Sequence, residues 1–129
     1  MKYGFHRSLV SMQSVEIPHV VAEDLKRIGG LKSVSENVPE RRRLEDTCKI
    51  FQCLSDSIRL SILYALSKSP LCVCLLKSIV KVPDSKLSYH LANLKSAGLI
   101  TQQSEGRFII YKITDLGKNL IDVCDSLDQ

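Results

Sequence analysis

The chain has 129 residues, of which 44% are hydrophobic and 25% charged, a balance that fits one soluble folded domain and excludes a disordered or collagen-like chain. No apolar run approaches the roughly 18 residues of a membrane-spanning helix, and Met1 to Ser14 mixes Lys2, His6 and Arg7 with polar residues, unlike a secretory leader. The net charge is only +4, and five cysteines in a chain read as cytoplasmic point to reduced thiols before a disulfide framework.

The predicted elements begin weakly. Pro18 opens a short helix with a Val21, Leu25, Ile28 stripe, closed by Gly29. Gly30 and the polar stretch through Asn37 and Pro39 read as a linker, so residues 1–38 are taken as an N-terminal extension and 39–129 as the folded domain. From Glu40 to Leu54, Leu44, Cys48, Phe51 and Leu54 recur at helical spacing. Asp56 or Ser57 caps the next helix, whose inward face is Ile58, Ile62, Ala65 and Leu66. Ser69-Pro70 repeats a helix-start signal, predicting a short helix from Pro70 to about Val80. Lys81, Val82 and Pro83 form a tight connection. Asp84 then caps a helix with Leu87, Leu91 and Leu94 on one face, ended by Gly98. Leu99 to Gln103 and Phe108 to Ile113 read as two strands joined by Ser104, Glu105 and Gly106. Thr114 caps a last helix carrying Leu116, Leu120, Val123 and Leu127.

Two short helices, a tight turn and a following hairpin describe a winged helix-turn-helix, a mainly α fold of about five to six helices with a two-stranded wing. Charge is segregated accordingly. Residues 84–112 hold Lys86, Lys95, Arg107 and Lys112 against Asp84 and Glu105, whereas Asp115, Asp122, Asp125 and Asp128 face only Lys118 in the tail. With the leucines turned inward, Ser85, Lys86, Ser88 and Tyr89 are left to meet base edges and phosphates of double-stranded DNA. His90 is counted with them, although half-buried packing beside Leu91 is its favoured role. Arg107, beside Gly106 at the hairpin tip, is placed on a phosphate or in the minor groove.

The segments LSDSIRLSILYAL, LCVCLL, SKLSYHLANLKSAGLI and EGRFIIYKIT resemble consecutive signatures of the ArsR/SmtB family of metal-responsive repressors, over roughly Leu44 to Leu120. The resemblance implies a homodimer closed by the first and last helices through Leu44, Phe51, Leu116, Leu120, Val123 and Leu127, bound to an inverted-repeat operator and released by metal. Leu-Cys-Val-Cys matches the family's metal box, which makes Cys72 and Cys74 the candidate ligands. The flanks depart from it: Pro70 and Leu75 stand where acidic residues are usual, and Lys77 where some arsenic sensors have a third cysteine. Cys48, Cys53 or Cys124, from the same or the other protomer, is then the candidate third thiolate. A cysteine-only site suits arsenite, antimonite, cadmium or lead, with zinc requiring a fourth ligand. The last helix has no histidine for the zinc site that other members build there.

If Pro70 begins the helix, Cys72 lies in its opening turn, where N–H groups favour a thiolate. Side chains two apart on a regular helix point about 200° apart, so one ion holds both sulfurs only if the turn unwinds, which would respace the two reading heads of a dimer. Two other readings stay open: a redox or persulfide sensor of the same fold, with Cys124 as the distant partner, and a winged-helix protein-interaction module. No nucleophile, base and orienting group come together, so no enzymatic activity is expected.

Overall fold

The computed structural model describes residues 16–128, and the reading that Met1 to Ser14 lacks a leader lies outside them. Pro18 precedes helix α1 (His19–Ile28), which ends at Gly29 with the left-handed φ of 102° that glycine adopts freely. The polar stretch after it is helical, against expectation: α2 (Gly30–Glu36) follows at once. Gly29 and Gly30 both take positive φ, so they end one helix and turn the chain into the next, and the stop falls later, at Asn37. The chain divides into two compact units between Leu44 and Glu45.

Helix α3 (Arg41–Leu54) turns Ile50, Cys53 and Leu54 toward the core of the second unit and leaves Phe51 exposed. Of the Leu44, Cys48, Phe51 and Leu54 stripe, Leu54 faces this core, whereas Cys48 and Phe51 are exposed in the single chain. Helix α4 (Ser57–Lys68) starts at Asp56, whose carboxylate accepts from the N–H groups of Ile58 at 2.8 Å and Arg59 at 3.0 Å. These bonds, that of Arg59 first, hold the Asp56 carboxyl below its ordinary pKa. Removing them in Asp56→Ala is expected to cost about 1 kcal/mol in urea denaturation. In the wild type this contribution is complete above the unfolded carboxylate pKa of about 4 and fades as pH falls through the lower native value.

Ser69 is extended, and the next residues form a strand, β1 (Leu71–Cys72), where the sequence pointed to a helix beginning at Pro70. Leu71 pairs with Tyr111 and Cys72 with Ile110, so the unpaired groups of a sheet edge override the helix-start signal, and Pro70, having no N–H, sits just outside the ladder. Helix α5 (Val73–Val80), the turn at Lys81 to Pro83 and helix α6 (Asp84–Ser96) follow. Strands β2 (Ile100–Glu105) and β3 (Phe108–Ile113) pair antiparallel, and the sheet order β1-β3-β2 makes three strands of the expected two. Helix α7 (Asp115–Ser126) closes the chain, its start capped by Thr114. Among the described residues there are seven helices, none long and apolar enough to cross a membrane.

The core joins Ile62, Leu63 and Leu66 of α4 to Leu76 of α5, Leu87, Leu91 and Leu94 of α6, and Leu99, Ile100, Tyr111 and Ile121. Each such leucine contributes roughly 1.5–3 kcal/mol by leaving water. Gly117 sets α7 against this core: a Cβ there would lie 2.6 Å from both the Leu99 carbonyl oxygen and Ile113 Cγ1.

Candidate nucleic-acid interface and thiol site

The turn between α5 and α6 is short because Lys81 takes a left-handed φ of 57° and donates its N–H to the Lys77 carbonyl at 3.0 Å. Lys77 Nζ reaches Asp84 Oδ1 at 2.8 Å, tying the two helices across it. On α6, Leu87, Leu91 and Leu94 are buried, and Ser85, Lys86, Ser88 and Tyr89 are exposed on the outer side, where the sequence reading had them.

His90, counted with the DNA-facing residues, takes the packing role instead. It is 3% exposed, and Nδ1 lies 2.9 Å from Arg59 Nη1, so the ring faces α4 and has no edge free for a base. A guanidinium only donates, so Nδ1 accepts and the ring proton sits on Nε2, which is buried without a partner. Arg59 Nε also donates to the Cys53 carbonyl at 2.6 Å, so one guanidinium joins the end of α3 to α6. The sequence signals this link only by placing Arg59 three residues after the cap Asp56, on the first turn of α4. Arg59→Ala is expected to cost about 1–3 kcal/mol, because it strands a buried ring nitrogen and a carbonyl. Arg59→Lys should not restore the loss, since an ammonium lacks the fork that makes both bonds; urea denaturation of the two variants checks this.

At the other edge of the interface, Glu105 pairs with Phe108, so the loop is the two residues Gly106 and Arg107, and Ser104 and Glu105 belong to the strand. Gly106 takes a φ of 61°, as the first position of a tight hairpin turn requires. Arg107 is exposed, with its guanidinium carbon 5.5 Å from the Phe108 ring centre.

Cys72 Sγ and Cys74 Sγ lie 2.8 Å apart. Cys72 is the extended N-cap of α5, with φ −81° and ψ 164°, so the helical 200° separation does not apply and the sulfurs meet without unwinding. The Cys72 thiol is lowered from its ordinary pKa by the hydrogen bond with Cys74 and then by the Leu75 N–H at the helix start. The Cys74 thiol is raised, chiefly by the same bond to Cys72. The shared bond thus makes Cys72 the more acidic thiol of the pair. Both line a cleft of about 320 Å³ with Val73, Lys77, Arg107, Phe108 and Ile109.

Among the described residues no three His, Cys, Asp or Glu side chains gather in a way that could hold a metal ion. Cys53 is buried in the core, with its thiol raised by desolvation, Cys48 is exposed on α3, and Cys124 is half-buried on α7. Of the apolar residues assigned to pairing, Phe51, Leu116, Val123 and Leu127 are exposed, the last at 76%, whereas Leu120 packs partly on the core and Leu44 is half-buried.

The sequence pattern of the bacterial regulatory proteins of the arsR family matches residues 56–102. An arsenical resistance operon repressor of Bacillus subtilis is 44% identical over 66 residues, half of this chain and 63% of that one. A homologue of the transcriptional repressor SmtB from Synechocystis is 30% identical over 105 residues, covering 81% of this chain and 79% of that one. Among solved structures, HlyU from Vibrio cholerae superposes with a TM-score of 0.62 at 26% identity, covering 68% of this chain and 97% of that chain. The chain spans about three-fifths of the length of the first curated relatives it matches, at 59% and 63%. Helix order, wing and these similarities together show that the chain belongs to the ArsR family of bacterial regulatory proteins.

Proposed function

We propose that this protein is a homodimeric, cytoplasmic transcriptional repressor that leaves an inverted-repeat operator when arsenite, antimonite or another soft metal ion binds Cys72 and Cys74. The observation that carries this reading is the dithiol at the N-cap of α5, its sulfurs 2.8 Å apart, on the helix that precedes α6, whose outer face is Ser85, Lys86, Ser88 and Tyr89. The name of the Bacillus relative, an arsenical resistance repressor, supports the ligand class, and that of the Synechocystis relative supports repression. Dimerisation is supported by the exposed Phe51, Leu116, Val123 and Leu127, an apolar surface that a twofold partner would cover. A third thiolate for a three-coordinate ion would then come from Cys48, Cys53 or Cys124 of the partner, and two thiols suffice for a ligand that brings its own third substituent.

A second reading is favoured by one observation: the lowered Cys72 thiol touching the raised Cys74 thiol is a nucleophile with a thiol beside it, the arrangement of a redox or persulfide sensor. Fluorescence anisotropy of the reduced protein on DNA from upstream of its own gene separates the two. Release by stoichiometric arsenite, antimonite, cadmium or lead, with zinc as a further arm, supports the first. Release by a persulfide donor without any response to metal supports the second. An operator that is never bound leaves a protein-interaction module.

A further inference from the structure

Because the two sulfurs meet without unwinding α5, a route from ligand to DNA that begins by melting that helix loses its physical reason. The thiols are instead tied to the wing. Cys72 pairs with Ile110 and Leu71 with Tyr111, on the strand that runs back to the hairpin tip. Along its other edge β3 pairs with β2 from Ile113 opposite Ile100 to Phe108 opposite Glu105. The cleft over the sulfurs is walled by Arg107, Phe108 and Ile109, so the arginine offered to a DNA phosphate also borders the space that a thiol-bound ligand enters.

The two walls of the cleft differ in how firmly they are held. Leu76, in the middle of α5, is fully buried and anchors that side in the core. Phe108 is 50% exposed and Arg107 lies in a two-residue turn, so the wing side yields first when the cleft is filled. We propose that a ligand bridging Cys72 and Cys74 releases DNA through the wing, by displacing Arg107 from its phosphate, and not by respacing the reading helices. The proposal rests on the reading that these thiols are the effector site and that the wing meets DNA. Arg107 is in it a positioning and contact residue, set by the ligand through the cleft wall and the β1–β3 ladder.

The probe is phenylarsine oxide, chosen because it needs only two thiols. Its arsenic forms two As–S bonds, its oxygen departs as water with the two thiol protons, and arsenic remains trivalent. Loading is read as the loss of two titratable thiols, independent of DNA, and DNA affinity by anisotropy with and without one equivalent of probe. The wild type is expected to lose two thiols and to bind DNA about tenfold more weakly, within the usual span of such couplings. Arg107→Ala is expected to lose the same two thiols, to start with weaker DNA binding, and to weaken by less than about threefold on loading, because the contact the ligand removes is already gone. If Arg107→Ala is weakened by loading by the same factor as the wild type, the wing route is overturned.

Hydrogen exchange without DNA provides a second test. Altered exchange across residues 100–113 on loading supports the proposal, and change confined to residues 73–96 overturns it. Failure of the underlying reading looks different: the wild type loses two thiols with no change in DNA affinity, or Cys72→Ser and Cys74→Ser still lose two, and either result overturns both.

Discussion

Cys72→Ser and Cys74→Ser are each expected to bind operator DNA with near wild-type affinity and to lose release by arsenite or cadmium altogether. The difference in operator affinity between ligand-free and ligand-loaded protein, about 5- to 150-fold for couplings of this kind, should collapse to none. Serine tests chemistry without disturbing structure. Cys72 is the N-cap of α5, a position that serine fills well, so the helix start and the β1 pairing persist while the soft ligand disappears. Cys74 is exposed, so its replacement opens no cavity. The two variants should also differ in thiol chemistry. The alkylation rate at Cys72 in the wild type should rise at a lower pH than that at Cys74, because the hydrogen bond between them, which Cys72 accepts, stabilises the Cys72 thiolate and holds the Cys74 proton. Anisotropy and mass-resolved alkylation across pH check both expectations. Normal release in both variants would remove these thiols from the mechanism.

Leu94→Ala is expected to cost about 2–5 kcal/mol in urea denaturation. Leu94 is fully buried, and its carbonyl accepts the Leu99 N–H at 3.0 Å where the chain turns from the reading helix into the wing. A cavity there loosens both parts of the proposed DNA-binding surface at once. The contrast is Leu127→Ala. With Leu127 76% exposed, monomer stability should change by no more than about 0.5 kcal/mol. If the last helix closes the dimer, its effect appears in self-association, measured by sedimentation across protein concentration.

Much of this architecture was legible because its signals are local. The repeat of Leu87, Leu91 and Leu94, the Asp56 cap, the Thr114 cap and the aromatic, β-branched run from Phe108 to Ile113 each report on a few neighbouring residues, and each element lies where its pattern predicts. Cys-Val-Cys was legible as chemistry for the same reason: thiol identity and spacing survive without a fold. The stripe of Leu44, Cys48, Phe51 and Leu54 behaves differently. Periodicity finds an apolar face but not which neighbour covers it, and on α3 the core takes Leu54 of that stripe together with Ile50 and Cys53, which lie off it.

Local signals alone place the helices from Arg41 onward, the turn and the hairpin, the outer face of α6 and the pair of adjacent thiols, since propensity, capping and charge act over a few residues. Three features rest on contacts between distant segments. Pro70 starts no helix, because the open edge of β3, some forty residues later, offers Leu71 and Cys72 a ladder that a local rule cannot see. His90 turns inward, because Arg59 reaches it from a helix thirty-one residues earlier. The Cys72–Cys74 pair shares a cleft with Arg107, because a three-stranded sheet brings the end of β1 beside the wing. Each is a contact between distant segments, whose free energy exists only once the rest of the chain has folded around it.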